Sequence, residues 1–459
     1  MYGIAFNWGA QYSRVTPILE ELGLSAALLG MAWLVGPVSG IVIQPWVGHQ
    51  SDRTRHRWGR RRIWMLVSMV GLALSNLLMA FPRELSRCFF ADDAVDKCAV
   101  YFALMAFWFA DVFINMAQVP CRTLIVDLLP VQQINRGNAY LGLWEGLGKV
   151  SAFAVGSFAV EEFFPSWKQT SGTFFANVQF LFIVGNFVMV VSFAVTFVGA
   201  KERQLQLDPS AQDASSERCI LAKIWEVLQG LSPLSKYVWV ALCCTNFAWF
   251  VSWMYIPAYM GKDIMHGDPR AKEGTDAQNR YHQGASLLAS RAMLLQSIIS
   301  LVLSPTFPRV MKRIRSVSLW MICELVHAVV YCMTPVIKTK ELALLDLGLQ
   351  GLPWAAFLVI PYSIMGREAK TTTAGGEALY ISLMNLALCL PEIAASIVVG
   401  PVVILAGGSN AAPIVLAGIV CLLVEGILFY ARRYDSRAGP ISGVEGTDGT
   451  SLCESPEAS

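Results

Sequence analysis

Charge is what this sequence has least of. Asp, Glu, Lys and Arg make up 15% of its 459 residues, against about 25% in an ordinary soluble domain. Beside 55% hydrophobic residues and a mean hydropathy of +0.50, that scarcity excludes a water-soluble enzyme and a disordered or fibrous chain. An excess of one sign is missing too. The 35 Lys and Arg against 33 Asp and Glu leave a net charge of +2, too little to point to nucleic acid as a partner. The sequence has no phosphate loop, no nucleophile elbow and no clustered metal-ligand spacing, so no enzyme activity, cofactor or metal is expected. Its 11 cysteines make no framework. Cys121, Cys243, Cys244, Cys323, Cys332, Cys389 and Cys421 lie in apolar segments, where thiols act as small buried apolar groups. Cys88 and Cys98 share one polar loop and can pair as a disulfide if that loop is extracytoplasmic.

What the chain has in abundance is apolar runs of about 20 residues, the length that crosses a bilayer as helix. Runs bounded by charge predict twelve spans, starting near residues 2, 28, 62, 99, 136, 175, 236, 286, 317, 342, 377 and 411. The expected fold class is an all-α membrane protein embedded in the lipid bilayer. The first run contains Trp8, Gln11, Arg14 and Pro17. These make a poor signal-peptide core, so it reads as a retained span. Loops after even-numbered spans hold the basic clusters: Arg53, Arg55, Arg57, Arg60, Arg61 and Arg62, then Lys201 and Arg203, then Arg309, Lys312, Arg313 and Arg315, with Arg432, Arg433 and Arg437 in the tail. That side carries roughly twice the basic residues of the other and is expected in the cytoplasm, with both termini. The opposite loops carry Glu20, Glu21, Asp92, Asp93, Asp96, Glu161 and Glu162.

The longest cytoplasmic segment separates six spans from six. The expected division is a six-helix bundle over 1–198, a linker over 199–235 with a surface helix around Trp225, a second six-helix bundle over 236–432, and a disordered tail over 433–459. Two six-helix bundles joined by a cytoplasmic linker is the layout of a major-facilitator transporter, whose site lies at mid-membrane between the halves.

Chemistry concentrates in the fourth span. A central Asp or Arg in a span costs about 2.5–3.5 kcal/mol on insertion scales and needs partners or water. Asp111, Asn115, Gln118 and Arg122 are spaced by four, three and four, which places them on one narrow stripe of a helix. Such a stripe is either a polar helix interface or the lining of a pathway for a polyhydroxylated solute. At about 1.5 Å per residue Asp111 and Arg122 are roughly 16 Å apart, too far to bridge. The fifth span runs back and offers Glu145 and Lys149 on one face. Counting depth, Lys149 reaches the level of Asp111, and Glu145 can meet a snorkelling Arg122. Arg14 falls near mid-depth as well. The expectation is one charge cluster of Arg14, Asp111, Arg122, Glu145 and Lys149 in which every charge has an opposite neighbour. The alternative is that Glu145 and Lys149 neutralise each other within their own helix.

The segment Asp111-Val-Phe-Ile-Asn-Met-Ala-Gln-Val-Pro-Cys-Arg122, continuing to Asp127, resembles the fourth span of sucrose–proton symporters in the glycoside–pentoside–hexuronide branch of the major facilitator superfamily. Further similarity runs along nearly the whole chain. It includes Trp33-Leu-Val-Gly-Pro-Val-Ser-Gly40 with Gln44-Pro45, Ser51-Asp-Arg53 with Arg57-Trp-Gly-Arg-Arg-Arg62, Met260-Gly-Lys-Asp-Ile-Met-His-Gly-Asp-Pro269, and Asn385-Leu-Ala-Leu-Cys-Leu-Pro391. The resemblance implies a monomeric carrier of a disaccharide or glycoside, coupled to H⁺ and resident in the plasma membrane or an internal membrane such as the vacuole. It also implies that Asp111 serves in proton coupling and sugar contact and Arg122 in sugar binding. Protonated Asp111 with bound sugar would then cross as a neutral unit, by rocking of one half against the other. Gln11, Arg14, Asn115 and Gln118 are expected to line the sugar site, with Trp8 as a stacking platform.

The group Asp52, Arg53, Gly59, Arg60 and Arg61, in a tight turn bounded by Gly48 and Gly59, is expected to pair with helix ends and gate one conformation; topology signalling alone is the alternative. The chain departs from the family pattern at Ala26, Lys149, Ile256, Ala258, Ser286 and Glu392. Lys149 leaves open a proton-independent facilitator, in which a tethered ammonium replaces the transported proton. A non-transporting sugar sensor is the reading from another class. Glu324 and His327 share a face of the ninth span, and with Glu425 and Arg291 they read as snorkelling or helix-bonding groups.

Overall fold

The computed structural model describes residues 1–91, 94–202, 220–272, 274–371 and 377–435. The readings placed on Asp92, Asp93, Arg203 and Arg437, on the middle of the linker and on the tail beyond Asp435 lie outside the described residues. Twelve long helices form where the apolar runs fall: α1 Tyr2–Glu21, α2 Val35–Arg53, α3 Arg60–Ala80, α4 Val95–Leu128, α5 Val131–Gly156, α6 Pro165–Gly199, α7 Pro233–Ala258, α8 Ala289–Leu303, α9 Ser316–Met333, α10 Gly351–Thr371, α11 Glu377–Leu405 and α12 Ala411–Asp435. Lipid offers the backbone no hydrogen bonds, so each run closes its own as helix. The chain is an integral, multi-pass membrane protein.

Among the described residues, ten helical stretches are apolar and long enough to cross a bilayer by composition alone. α1 and α5 are not among them. They carry Asn7, Gln11 and Arg14, and Glu145 and Lys149, and they pack against each other within the first bundle. Gly9 and Gly148 make that approach possible, since a Cβ at Gly148 would overlap the Tyr2 carbonyl and one at Gly9 would press on Ala152. In the second bundle α12 lies between α7 and α9.

One face of the bundle bears the arginine-rich α2–α3 turn and the other bears the acidic C-terminal end of α1, Glu20 and Glu21. The acidic face is closed by contacts between the two bundles. Thr16 donates to the Met254 carbonyl at 2.9 Å. A Cβ on Gly30 would overlap the Ser396 carbonyl, and one on Gly400 the Ala27 carbonyl. The Met260–Pro269 motif belongs to this seal. α7 runs on into a π-helical stretch, Tyr259–Ile264, and α8 is preceded by another, Gln283–Leu288. Gly261, Gly267 and Gly284 let the two meet around Tyr281. Lys262 Nζ then reaches Glu20 at 2.6 Å, the Tyr281 hydroxyl donates to Glu20 at 2.7 Å, and His282 Nε2 lies 2.9 Å from Glu21.

Two expectations are corrected. Cys88 and Cys98 are free thiols; Cys88 ends the short helix Pro82–Arg87 and points its Sγ at the Glu84 carbonyl. Gly48 does not bound the turn, because α2 continues as helix to Arg53. Of the two roles expected of Glu324 and His327, snorkelling or helix bonding, the second is found: Glu324 lies mid-way along α9, is 1% exposed and accepts from Thr245 of α7. His327, one turn on, is likewise buried, at 0%.

Gly59 does bound the turn. Its φ of 104° belongs to a region open essentially to glycine, and it places the α3 amino terminus on the Glu202 carboxylate, which accepts from the Arg61 and Arg62 backbone N–H groups. A Cβ there would overlap Glu202. Gly59→Ala is expected to destabilise the protein by about 1–3 kcal/mol, read as a lower thermal unfolding midpoint in detergent.

Candidate functional site between the two bundles

α2 presents glycine and serine to α4, and this spacing makes room for the polar stripe. A Cβ at Gly36 would sit 3.6 Å from Asp111 Oδ2, and one at Gly40 would sit 4.0 Å from Asn115 Oδ1. Into that space Ser39 Oγ donates to Asp111 Oδ2 at 2.9 Å, and Asn115 Nδ2 donates to the same oxygen at 3.2 Å and to Ser39 Oγ at 2.8 Å. Gln44 Nε2 extends the chain, donating to Asn115 Oδ1 at 2.7 Å and Gln118 Oε1 at 3.1 Å. Asp111 is therefore held by neutral donors alone. Asp111 and Asn115 are buried, at 4% and 2%, Gln118 stands at 9%, and Arg122 is exposed. The stripe thus opens to water toward the arginine-rich face.

The five expected charges do not form one cluster. Lys149 Nζ bonds Glu145 Oε1 at 3.2 Å, one turn away on its own helix, and sits 5.5 Å over the Trp354 ring. Arg122 lies within electrostatic reach of Glu145. Arg14 is 1% exposed and bonds oxygens, not carboxylates: Nη1 donates to the Ser286 carbonyl at 2.9 Å and to Ser290 Oγ at 3.1 Å, and Nη2 to the Gly156 carbonyl at 2.7 Å. It ties α1 to the approach to α8, on the closed side. Rotation about the helix axis sets the partners: Lys149 turns toward Trp354 on α10, and Arg14 toward Ser286. In a double-mutant cycle on thermal stability, Asp111→Asn and Lys149→Gln are expected to be additive within about 0.5 kcal/mol.

Several lining residues escape the sequence reading. Tyr12, one turn beyond Trp8, stacks with Trp33 at 5.7 Å and packs on Trp253 at 4.8 Å; Trp253 meets Trp354 at 4.9 Å. Trp8 itself lies 5.7 Å from Tyr12. Trp8 Nε1 and Gln11 Nε2 are buried donors without an acceptor among the described residues. From the second bundle Asn246 Nδ2 donates to Glu392 Oε1 at 3.1 Å. Glu392, Asp111 and Glu145 all lie within electrostatic reach of Tyr12, so carboxylates from both bundles face one region. Only Glu392 carried a signal, as a departure from the family pattern. The others are common aromatic and amide side chains, whose meeting depends on how the bundles dock. Tyr362 is 40% exposed, yet within reach of Arg122, Glu145 and Glu392, so water enters between the bundles here.

At the arginine-rich face Arg61 bonds Asp52, Ser51 Oγ at 2.6 Å and Asp127 at 2.8 Å, while Arg60 bonds Asp127 at 2.7 Å. The network joins the α2–α3 turn to the end of α4, with Asp127 as an acceptor the turn itself lacks. Arg53 is exposed.

The pattern of the Major Facilitator Superfamily matches residues 3–391. The chain belongs to that family, whose members are membrane transporters and not enzymes. Sucrose transport protein SUT5 of Oryza sativa subsp. indica is 26% identical over 434 residues, covering 87% of this chain and 80% of the relative. Sucrose transport protein SUT2 of the same plant is 27% identical over 440 residues, covering 89% and 86%. Among solved structures, a D-xylose–proton symporter superposes with a TM-score of 0.59 at 14% identity, covering 93% of this chain and 96% of that one. At that identity the likeness concerns the fold.

Proposed function

We propose that this member of the Major Facilitator Superfamily carries sucrose or a similar glycoside across its membrane together with a proton. The observation that bears most weight is Asp111, a carboxylate between the bundles that accepts from Ser39 and Asn115 and, among the described residues, is paired with no cation. A group so placed can gain and lose a proton without breaking an ion pair. The amides of Asn115, Gln118 and Gln44, the unpaired donors of Trp8 and Gln11, and the half-buried rings of Trp8, Trp253 and Trp354 suit sugar hydroxyls and the apolar face of a pyranose. The curated relatives are named sucrose transport proteins over most of their length, which favours sucrose.

In this reading Arg122 meets sugar arriving from the arginine-rich, cytoplasmic side, with Glu145 to balance its charge. The described conformation is sealed at the acidic face and open at the arginine-rich face, one end state of alternating access. The Arg60–Arg61–Asp127 network would hold the α2–α3 turn in that state. Pairing of Lys149 with Glu145 leaves no ammonium at Asp111 to stand in for a proton, so facilitation lacks the support that the sequence lent it. The plasma membrane and a monomeric working unit are part of the proposal.

Purified protein in proteoliposomes, supplied with labelled sucrose, maltose or an aryl glucoside with and without an inward-acid pH gradient, tests the reading. Gradient-driven accumulation of sucrose is expected. Equilibration indifferent to the gradient would make the protein a facilitator, and binding without flux would make it a sensor; either contradicts the proposal.

A further inference from the structure

Within the second bundle, away from the inter-bundle site, three side chains that transport does not use converge. Glu324 and His327 come from successive turns of α9, and Cys421 comes from α12. All three are buried, at 0–1% exposure. His327 Nδ1 lies 3.4 Å from Glu324 Oε1 and 3.4 Å from Cys421 Sγ, and all three ligand atoms fall within 4.8 Å of one another. The helices are brought this close by Gly418, one turn before Cys421, where a Cβ would press on Cys332.

We infer that Glu324, His327 and Cys421 form a binding site for a divalent transition-metal ion of the zinc class. Zn²⁺ bonds oxygen, nitrogen and sulfur at about 2.0–2.3 Å, so ligand atoms of a tetrahedral site stand about 3.3–3.6 Å apart. The two spacings to His327 meet that requirement without rearrangement. Charge argues the same way. A carboxylate buried in lipid-embedded protein needs a counter-charge, and among the described residues no lysine or arginine bridges Glu324. One Zn²⁺ with a carboxylate, a thiolate and a neutral imidazole is electrically neutral; on binding, the thiol proton passes to solvent.

The surroundings fit a metal ligand set. Thr245 Oγ1 of α7 donates to Glu324 Oε1 at 3.1 Å, fixing the carboxylate as an outer hydrogen bond does in metal sites. Trp249 stacks on the His327 ring at 4.2 Å and holds its plane. Glu425, one turn after Cys421, has a buried Oε1 without a partner and lies within electrostatic reach of Glu324. It lies outside the three-atom group, so the neutral ligand set is Glu324, His327 and Cys421 alone. The ion would cross-link α9 to α12 inside one bundle, so the site is structural and independent of the sugar reading.

Titration of the purified, metal-stripped full-length protein with Co²⁺ tests the inference. A thiolate-to-cobalt charge-transfer band and intense visible absorption of tetrahedral Co²⁺ are expected, saturating at one ion per chain and displaced by Zn²⁺. Cys421→Ser is expected to abolish the band, and Thr245→Ala, which keeps all three ligands, to weaken affinity about 10–100-fold. A thermal midpoint of the metal-free variants close to wild type verifies that they fold. Absence of the band in the wild type, or a band that survives Cys421→Ser and so arises at another thiol, would overturn the inference.

Discussion

Asp111→Asn is expected to convert gradient-driven accumulation of sucrose into simple equilibration. At one proton per sugar each pH unit of gradient can drive about tenfold accumulation, about 1.4 kcal/mol, and the whole of that factor is expected to be lost in the variant. The amide keeps the shape and can still accept from Ser39 at the position of the carboxylate, so the Ser39–Asn115–Gln44–Gln118 chain survives. The change therefore removes the titrating proton and leaves the scaffold. Counterflow, which exchanges sugar for sugar without net proton movement, is expected to persist in the variant. Its loss together with accumulation would mean that Asp111 shapes the sugar site and does not carry the proton.

The second large effect concerns the seal at the acidic face. Glu20 is buried, and its ion partner Lys262 crosses from the second bundle at 2.6 Å. Lys262→Ala leaves the carboxylate uncompensated, and removing one partner of a buried pair costs about 3–5 kcal/mol. The Tyr281 hydroxyl still bonds Glu20, which puts the cost toward the lower end. Opening that face hydrates Glu20 and relieves the cost, so the population shifts toward the outward-open state, about 100-fold for ~3 kcal/mol. Amide hydrogen exchange over residues 259–272 is expected to speed up accordingly. The double variant Glu20→Gln/Lys262→Ala, which removes both charges of the pair, is expected to regain most of the protection. Unchanged exchange in Lys262→Ala would show that the close backbone packing at Gly30 and Gly400 holds the face alone.

The spans were legible because lipid leaves the chain little choice: a run of apolar residues must be helix. The stripe from Asp111 to Arg122 was legible because its members share one helix, and helical pitch fixes their relative angle. Contacts between helices were less so. Rise per residue orders groups along one helix, but which neighbour Arg14 or Lys149 faces depends on rotation and docking. So Arg14 was matched with carboxylates where it bonds the Ser286 and Gly156 carbonyls. Ser39 and Gln44, small and neutral, gave no sign that they would hold Asp111. Glu324 and His327 read as snorkelling or helix-bonding groups without a named partner, because periodicity within α9 says nothing of Cys421, 94 positions beyond His327. The Met260–Pro269 motif stood out as a string, yet its role in the seal needed the two π-helical stretches and their glycines.

Central to the account is that the carboxylate on α4 takes up the proton that accompanies the sugar. Proton uptake on sucrose binding, followed with a pH indicator in weakly buffered detergent solution, tests this most directly. The account predicts that each sucrose bound draws a proton from solution, and that Asp111→Asn binds sucrose with no uptake. Sucrose binding to the wild type without proton uptake at any pH, or uptake undiminished in the variant, would contradict it.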